Sequence, residues 1–144
     1  RGSIKMADIA KTKVVFELVT PTALAVSEDV DMVVVPGIEG DFGVLPGHTP
    51  VLTTIRPGVI SMYMGDEITK SLFVEGGFVE ANPEGCTVLA EGATDIAEIS
   101  AEDAQARLVS ARDALVNSDD ANADNEVKVA EAMVIAAGGN ATQY

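Results

Sequence analysis

Catalytic and metal chemistry has little to work with in this 144-residue chain, which holds one cysteine, Cys86, and one histidine, His48. One cysteine excludes an internal disulfide, and one histidine without a second thiol excludes a zinc site of the usual kind. A lone histidine cannot run hydrolysis without an orienting group and a nucleophile. Basic residues are scarce: nine Lys and Arg stand against 23 Asp and Glu, a formal net charge of −14. So acidic a surface repels phosphate backbones and excludes nucleic-acid binding, while favouring solubility. Long apolar runs are missing as well. A bilayer crossing needs ~20 residues, and the run Met32–Val35 already stops at Pro36-Gly37, so direct membrane insertion is not expected.

What is present divides by period. Nearly half the residues are apolar (47%), enough to bury a core. Arg1–Lys5 read as a cloning remnant ahead of an initiator Met6 and are set apart from the fold. Asp8, Lys11 and Lys13 interrupt any signal-peptide core, and a reducing cytoplasmic setting fits.

From Lys13 to Glu91 the pattern is β. Val14, Phe16 and Leu18 alternate with their neighbours, and Met32–Val35, Val51–Ile55, Val59–Met64, Ile68–Val74, Phe78–Ala81 and Cys86–Ala90 read as strands. Pro21-Thr22, Gly65-Asp66 and Asn82-Pro83-Glu84-Gly85 mark turns. Many short strands at even spacing predict an antiparallel sandwich or barrel over residues 6–93. Cys86 sits in an apolar strand, which predicts a buried, inert thiol.

The period changes after Gly92. Ser100 and Asp103 resemble a capping box, and Ala104, Leu108, Ala111 and Leu115 share a helical face. Asn117–Asn122 is a polar break. A second helix is expected from about Asp124, with Val127, Ala130, Val134 and Ala137 on one face, Met133 beside them, and an end at Gly138-Gly139. Residues 94–144 are therefore expected to form an antiparallel helical hairpin. Its apolar faces are thin and alanine-rich, so it should lean on the sandwich or on a partner.

The stretch Gly37–Ile60 is dense in glycine and proline. Gly37, Gly40 and Gly43 lie three apart, which is not a dinucleotide pattern, and no Gly-Lys-Ser/Thr occurs in the chain. The glycines read as positive-φ turn positions and a bulge. Glu39 and Asp41 lack a base, metal ligand or nucleophile nearby, so they read as a solvated loop tip or a contact for a basic partner surface. His48, between Pro46-Gly47 and Thr49-Pro50, reads as a surface turn residue or a satisfied structural histidine.

Glu39-Gly40-Asp41-Phe42-Gly43 with Leu45-Pro46-Gly47-His48, then Val74-Glu75-Gly76-Gly77-Phe78 and Thr87-Val88-Leu89-Ala90, resembles the epsilon subunits of rotary F-type ATP synthases. The resemblance spans about Lys13 to Leu115. It implies an antiparallel ten-stranded β-sandwich followed by the helical hairpin. It also implies a non-catalytic rotor subunit without cofactor or metal, on the cytoplasmic face of the bacterial inner membrane. By the same resemblance Glu39, Gly40 and Asp41 would touch the polar loops of the c-ring, His48 would face the gamma subunit, and the C-terminal helices could reach the alpha and beta subunits.

The hairpin departs from the family pattern. Where relatives carry an Ile/Leu-Asp-x-x-Arg-Ala-like stretch that helps some of them bind ATP, this chain has Ile99-Ser100-Ala101-Glu102-Asp103-Ala104. A carboxylate in place of the guanidinium would repel a triphosphate. The second helix has Lys128 as its only base, with Asp119, Asp120, Asp124, Glu126 and Glu131 in the region. Little inhibition of ATP hydrolysis and no ATP affinity are expected. The rival readings are a nucleotide-sensing regulator and an unrelated β-sandwich binding module.

Overall fold

A computed structural model of the chain describes residues 12–118 and 121–138. Arg1–Lys5, Met6, Asp8, Lys11, Asp119, Asp120 and Gly139 lie outside the described residues. Ten strands are present there: β1 Val14–Thr20, β2 Ala23–Val30, β3 Met32–Gly37, β4 Gly40–Val44, β5 Val51–Ile55, β6 Gly58–Met64, β7 Glu67–Val74, β8 Gly77–Asn82, β9 Gly85–Ala90 and β10 Ala93–Asp95. A short 3-10 turn, Ile96–Glu98, leads to helices α1, Ala101–Val116, and α2, Ala121–Ala136.

Hydrogen bonding runs β10-β7-β6-β3-β5-β8-β9-β1-β2, with β4 on the free side of β3. Two five-stranded halves are joined at β3. Met32, Val33 and Val34 pair with β6, whereas Gly37 pairs with Ile55 of β5. Pro36 sits between these two pairings, where a residue without an N–H is tolerated. The halves fold face to face around one core, to which one contributes Val33, Val35, Ile60, Met62 and Val74 and the other Phe16, Leu18, Val79, Val88 and Ala90. This is the expected β-sandwich. Its pairings are antiparallel except that of β1 with β9, which is parallel.

Three strands were not expected from the sequence. In β2 only Val26 and Val30 are buried, because an edge strand needs few apolar contacts, so the alternation is faint. β4 lies within the glycine-rich stretch, and Gly43 serves there by its lack of bulk: a Cβ on it would come 3.3 Å from Met32 Sδ. β10 pairs with β7 from Ala93 to Asp95, so the sheet continues past residue 93, where the first domain was expected to end.

Gly37 and Gly43 do not have positive φ, contrary to the turn-and-bulge reading; Gly40 does, at 140°. Gly37 is required by crowding instead, since a Cβ would approach Gly40 O and the Phe42 ring at 2.9 Å. The Asn82–Gly85 turn is as expected, with Asn82 Oδ1 accepting from the N–H groups of Glu84 (2.9 Å) and Gly85 (3.1 Å). Cys86 is buried, and desolvation pushes its thiol up to about 12, so it stays protonated and inert.

Asp31, between β2 and β3, ties three parts of the sandwich together. One carboxylate oxygen accepts from Lys13 Nζ at the start of β1, and the other accepts from the Gly65 N–H in the β6–β7 turn. These bonds, the Lys13 one first, hold its carboxyl below the usual carboxylate range. A depressed folded pKa contributes stability that is present above the unfolded value and lost as pH falls through the folded one. Asp31→Asn should therefore lower the melting temperature at pH 7. The gap to wild type should shrink as pH drops below the ordinary value of 3.8. Thermal melts across pH 2–7 read this out, and a gap that is constant with pH would contradict it.

Helix α1 opens on Ser100, whose Oγ accepts from the Asp103 N–H at 3.2 Å. Ala104, Leu108 and Ala111 pack against Val127, Ala130 and Val134 in a small core of their own. α2 begins at Ala121, earlier than the expected Asp124. Val129, outside the expected apolar face, is buried, as is Phe73 on β7, and neither belongs to either core. Alternation with Leu72 and Val74 turns Phe73 away from the sandwich interior. The hairpin, with α2 against β6, covers that outer face.

Candidate functional site

Ile38 and Glu39 form the two-residue turn between β3 and β4, with Gly37 paired to Gly40 across it. Glu39 is exposed at this tip, as expected. Asp41 is not on the tip. It lies in β4, and Arg56 Nη2 donates to its Oδ1 while Nη1 donates to the Gly37 carbonyl. Its charge is thus already partnered, and the free carboxylate of the pair is Glu39.

His48 lies in the β4–β5 loop. Its backbone N–H donates to Leu45 O at 3.2 Å, its Nδ1 lies 2.6 Å from Thr49 O, and its ring centroid is 6.4 Å from that of Phe42. With Glu39, Gly40 and Leu52 it lines a shallow cleft of about 430 Å³. The structure therefore brings His48 and the turn together, although the family resemblance assigns them to different partners.

A further feature went unread in the sequence. The register Thr54↔Phe78, Phe78↔Leu89, Leu89↔Val19 and Val19↔Leu24 sets one row across β5, β8, β9, β1 and β2. The row faces away from the core, since Val79 and Val88 point in, yet Phe78, Leu89 and Leu24 are 55%, 54% and 57% exposed. Ile38, whose N–H donates to Thr54 O, extends it. Leu52, in the next row opposite Glu80, is 72% exposed. A contiguous apolar surface on a stiff sheet marks a contact face. The signal was present: Phe78 and Leu89 are apolar at positions out of phase with the buried ones.

Each of the six described Lys and Arg side chains is in an ion pair: Lys13 with Asp31, Arg56 with Asp41, Lys70 with Glu28, Arg107 with Glu75 and Glu126, Arg112 with Glu131, and Lys128 with Asp124. Arg107 was also unread. Its Nε donates to Glu126 Oε1 at 2.6 Å, and its Nη2 donates across to Glu75 Oε1, after β7, at 3.2 Å. Glu126 first, then Glu75, holds the guanidinium firmly protonated. Arg107→Ala would leave two carboxylates facing each other without their cation. Hairpin attachment should weaken by about 1 kcal/mol. Hydrogen exchange should report this as roughly five-fold faster opening of residues 101–136, with the sandwich amides unchanged.

The sandwich matches the ATP synthase, delta/epsilon chain, β-sandwich domain family over residues 13–96. The chain belongs to this family. It is 60% identical over 79 residues to the ATP synthase epsilon chain of Paramagnetospirillum magneticum, covering 55% of this chain and 59% of that one. It is 57% identical over 76 residues to the epsilon chain of Rhodospirillum rubrum, covering 53% and 57%. The match thus spans less than two thirds of these relatives. In fold it resembles a chain in the cryo-EM structure of the Euglena gracilis mitochondrial ATP synthase, OSCP/F1/c-ring, with a TM-score of 0.74 at 21% identity over 87% of this chain and 81% of that one. Among the described residues, no helix is long and apolar enough to cross a membrane.

Proposed function

We propose that the chain is a non-catalytic epsilon-type subunit of the central stalk of an F-type ATP synthase, coupling a gamma shaft to a c-ring during proton-driven ATP synthesis. The observation that carries this is the 60% identity over 79 residues to a protein named ATP synthase epsilon chain. In this reading the sandwich, continued through β10 to Asp95, is the rotor-binding domain, and the hairpin that follows it is the helical domain. The gamma subunit covers the Phe78–Leu89 row, with His48 at its border. The Glu39-Gly40-Asp41 turn meets the c-ring, Glu39 offering the free charge and Asp41 holding the turn through Arg56. The subunit sits peripherally at the cytoplasmic face of a bacterial inner membrane and needs no cofactor.

Two packed sheet halves resist shear because every strand is hydrogen-bonded to a neighbour and the core is filled. Torque can then pass between two partners without the body deforming. Nucleotide sensing is disfavoured by charge: Arg107, Arg112 and Lys128, the bases of the described hairpin, all sit on carboxylates of this chain. A triphosphate would have to displace them. Calorimetric titration with ATP should accordingly detect no sub-millimolar binding, and a fitted Kd in the micromolar range would contradict this. The subunit assignment is tested by pull-down of purified gamma and c-ring subunits on the immobilised chain. Retention of both is expected, and retention of neither would overturn the reading.

A further inference from the structure

Arg56 stands in the link between β5 and β6, and local chemistry leaves it little freedom. It precedes Pro57, which restricts its backbone to extended conformations. Its N–H donates to Pro36 O at 3.0 Å. Gly58 lets the link lie close against β3, since a Cβ there would come 3.0 Å from Pro36 Cβ. From this fixed backbone the guanidinium reaches both legs of the β3–β4 turn. Nη1 donates to the Gly37 carbonyl on one leg, and Nη2 donates to Asp41 Oδ1 on the other. Only Ile38, Glu39 and Gly40 lie beyond this bridge.

Stability does not account for the bridge. The Arg56 and Asp41 side chains are 41% and 60% exposed, and ion pairs so exposed add little to folding. A planar fork bonded to two acceptors fixes geometry instead. Gly40, with φ 140°, has no side chain to restrain the turn from within. Glu39, exposed at the tip, has no partner among the described residues. Glu39, Asp41 and Arg56 together carry one formal net negative charge, and with Asp41 on Arg56 it resides on Glu39.

We propose that Arg56 is the positioning residue of the turn that meets the c-ring: by bridging Gly37 and Asp41 it holds Glu39 toward a single basic side chain of a ring loop, and Asp41 makes no charge contact of its own. The inference rests on the ring reading above and gives its two carboxylates unequal roles. A turn held in its bound shape before the encounter loses less freedom on binding. Net charge alone predicts something different. Were the turn read only by its charge, losing Arg56 would free Asp41, double the negative charge and tighten the hold on a basic partner. Positioning predicts the opposite sign.

Full chains carrying Arg56→Gln, Asp41→Ala, both changes together, or Glu39→Gln are titrated onto immobilised, purified c-ring at several salt concentrations. The double variant keeps the net charge of the wild-type turn and lacks the bridge. Arg56→Gln, Asp41→Ala and the double variant should each bind about five-fold more weakly, without adding, because the two residues act as a unit. The double variant should keep the salt dependence of wild type, whereas Glu39→Gln should lose most of it. In the free chain, NMR order parameters at Ile38, Glu39 and Gly40 should fall from ~0.85 toward ~0.6 when the bridge is removed. Tighter binding by Arg56→Gln, wild-type affinity in the double variant, or unchanged order parameters would overturn the inference while the ring reading stands. If wild type itself does not bind the ring, both fall.

Discussion

Phe78→Asp is expected to leave the fold intact and to weaken binding of the gamma subunit by about a hundred-fold, close to 3 kcal/mol. The two halves of that statement have separate causes. Phe78 is 55% exposed and points away from the core, so replacing it removes little packing within the chain. In a complex it is the largest side chain of the apolar row, between Thr54 and Leu89. Burying an aspartate there, among apolar neighbours and with each described lysine and arginine already in an ion pair, costs a desolvation penalty in addition to the lost contact. Surface plasmon resonance on immobilised gamma measures it, with circular dichroism as the control on folding. Binding within about two-fold of wild type would remove the row from the interface.

Gly77→Ala should produce the largest loss of stability from a single methyl group. Gly77 has φ 141°, which side chains rarely adopt, and an added Cβ would lie 2.0 Å from Leu89 O and 3.0 Å from Ala90 Cα. Both obstacles are backbone atoms of the neighbouring strand and cannot rotate aside. Strain and overpacking together amount to about 3–4 kcal/mol, or a fall of about 10 °C in melting temperature. Gly65→Ala is the internal comparison. Gly65 also has positive φ, 64°, but nothing lies within 4 Å of its missing Cβ, so about 1 kcal/mol is expected. Equal losses at the two positions would contradict the crowding argument. Because Gly77 adjoins Phe78, its substitution should also disturb the outer row.

Much of the fold was legible where one face of an element is buried. The alternation Val14, Phe16, Leu18 announces β1, and the spacing Ala104, Leu108, Ala111 announces α1, because in each case the core demands the period. β2 was not legible for the opposite reason: it is an edge strand with two buried residues and an acidic sequence. β4 was hidden by its glycines: Gly43 serves by its lack of bulk beside Met32, while Gly40 supplies the positive φ at the turn. The parallel β1–β9 pair could not be read locally, since the partners are about seventy positions apart and the pattern of either strand is indifferent to direction.

The site was legible in part. Glu39, Gly40 and His48 fall together as an exposed corner, but the tie between Asp41 and Arg56 is a tertiary contact with no sequence signature. Arg107 was overlooked because an arginine on an acidic helix reads as an exposed charge. Its two carboxylate partners are brought to it only by tertiary packing, Glu126 by the pairing of α1 with α2 and Glu75 by the docking of the hairpin on the sandwich. The outer row was within reach, since Phe78 and Leu89 break the inside–outside alternation that Val79 and Val88 establish. An apolar residue out of phase in a strand is a prompt to look for what covers it.

The most direct measurement is proton-driven ATP synthesis in vesicles carrying an ATP synthase depleted of its epsilon subunit, assayed before and after adding this chain. A coupling subunit should restore synthesis, while Phe78→Asp should not. An unchanged rate on adding the wild-type chain would contradict the account, as would nucleotide turnover by the isolated chain.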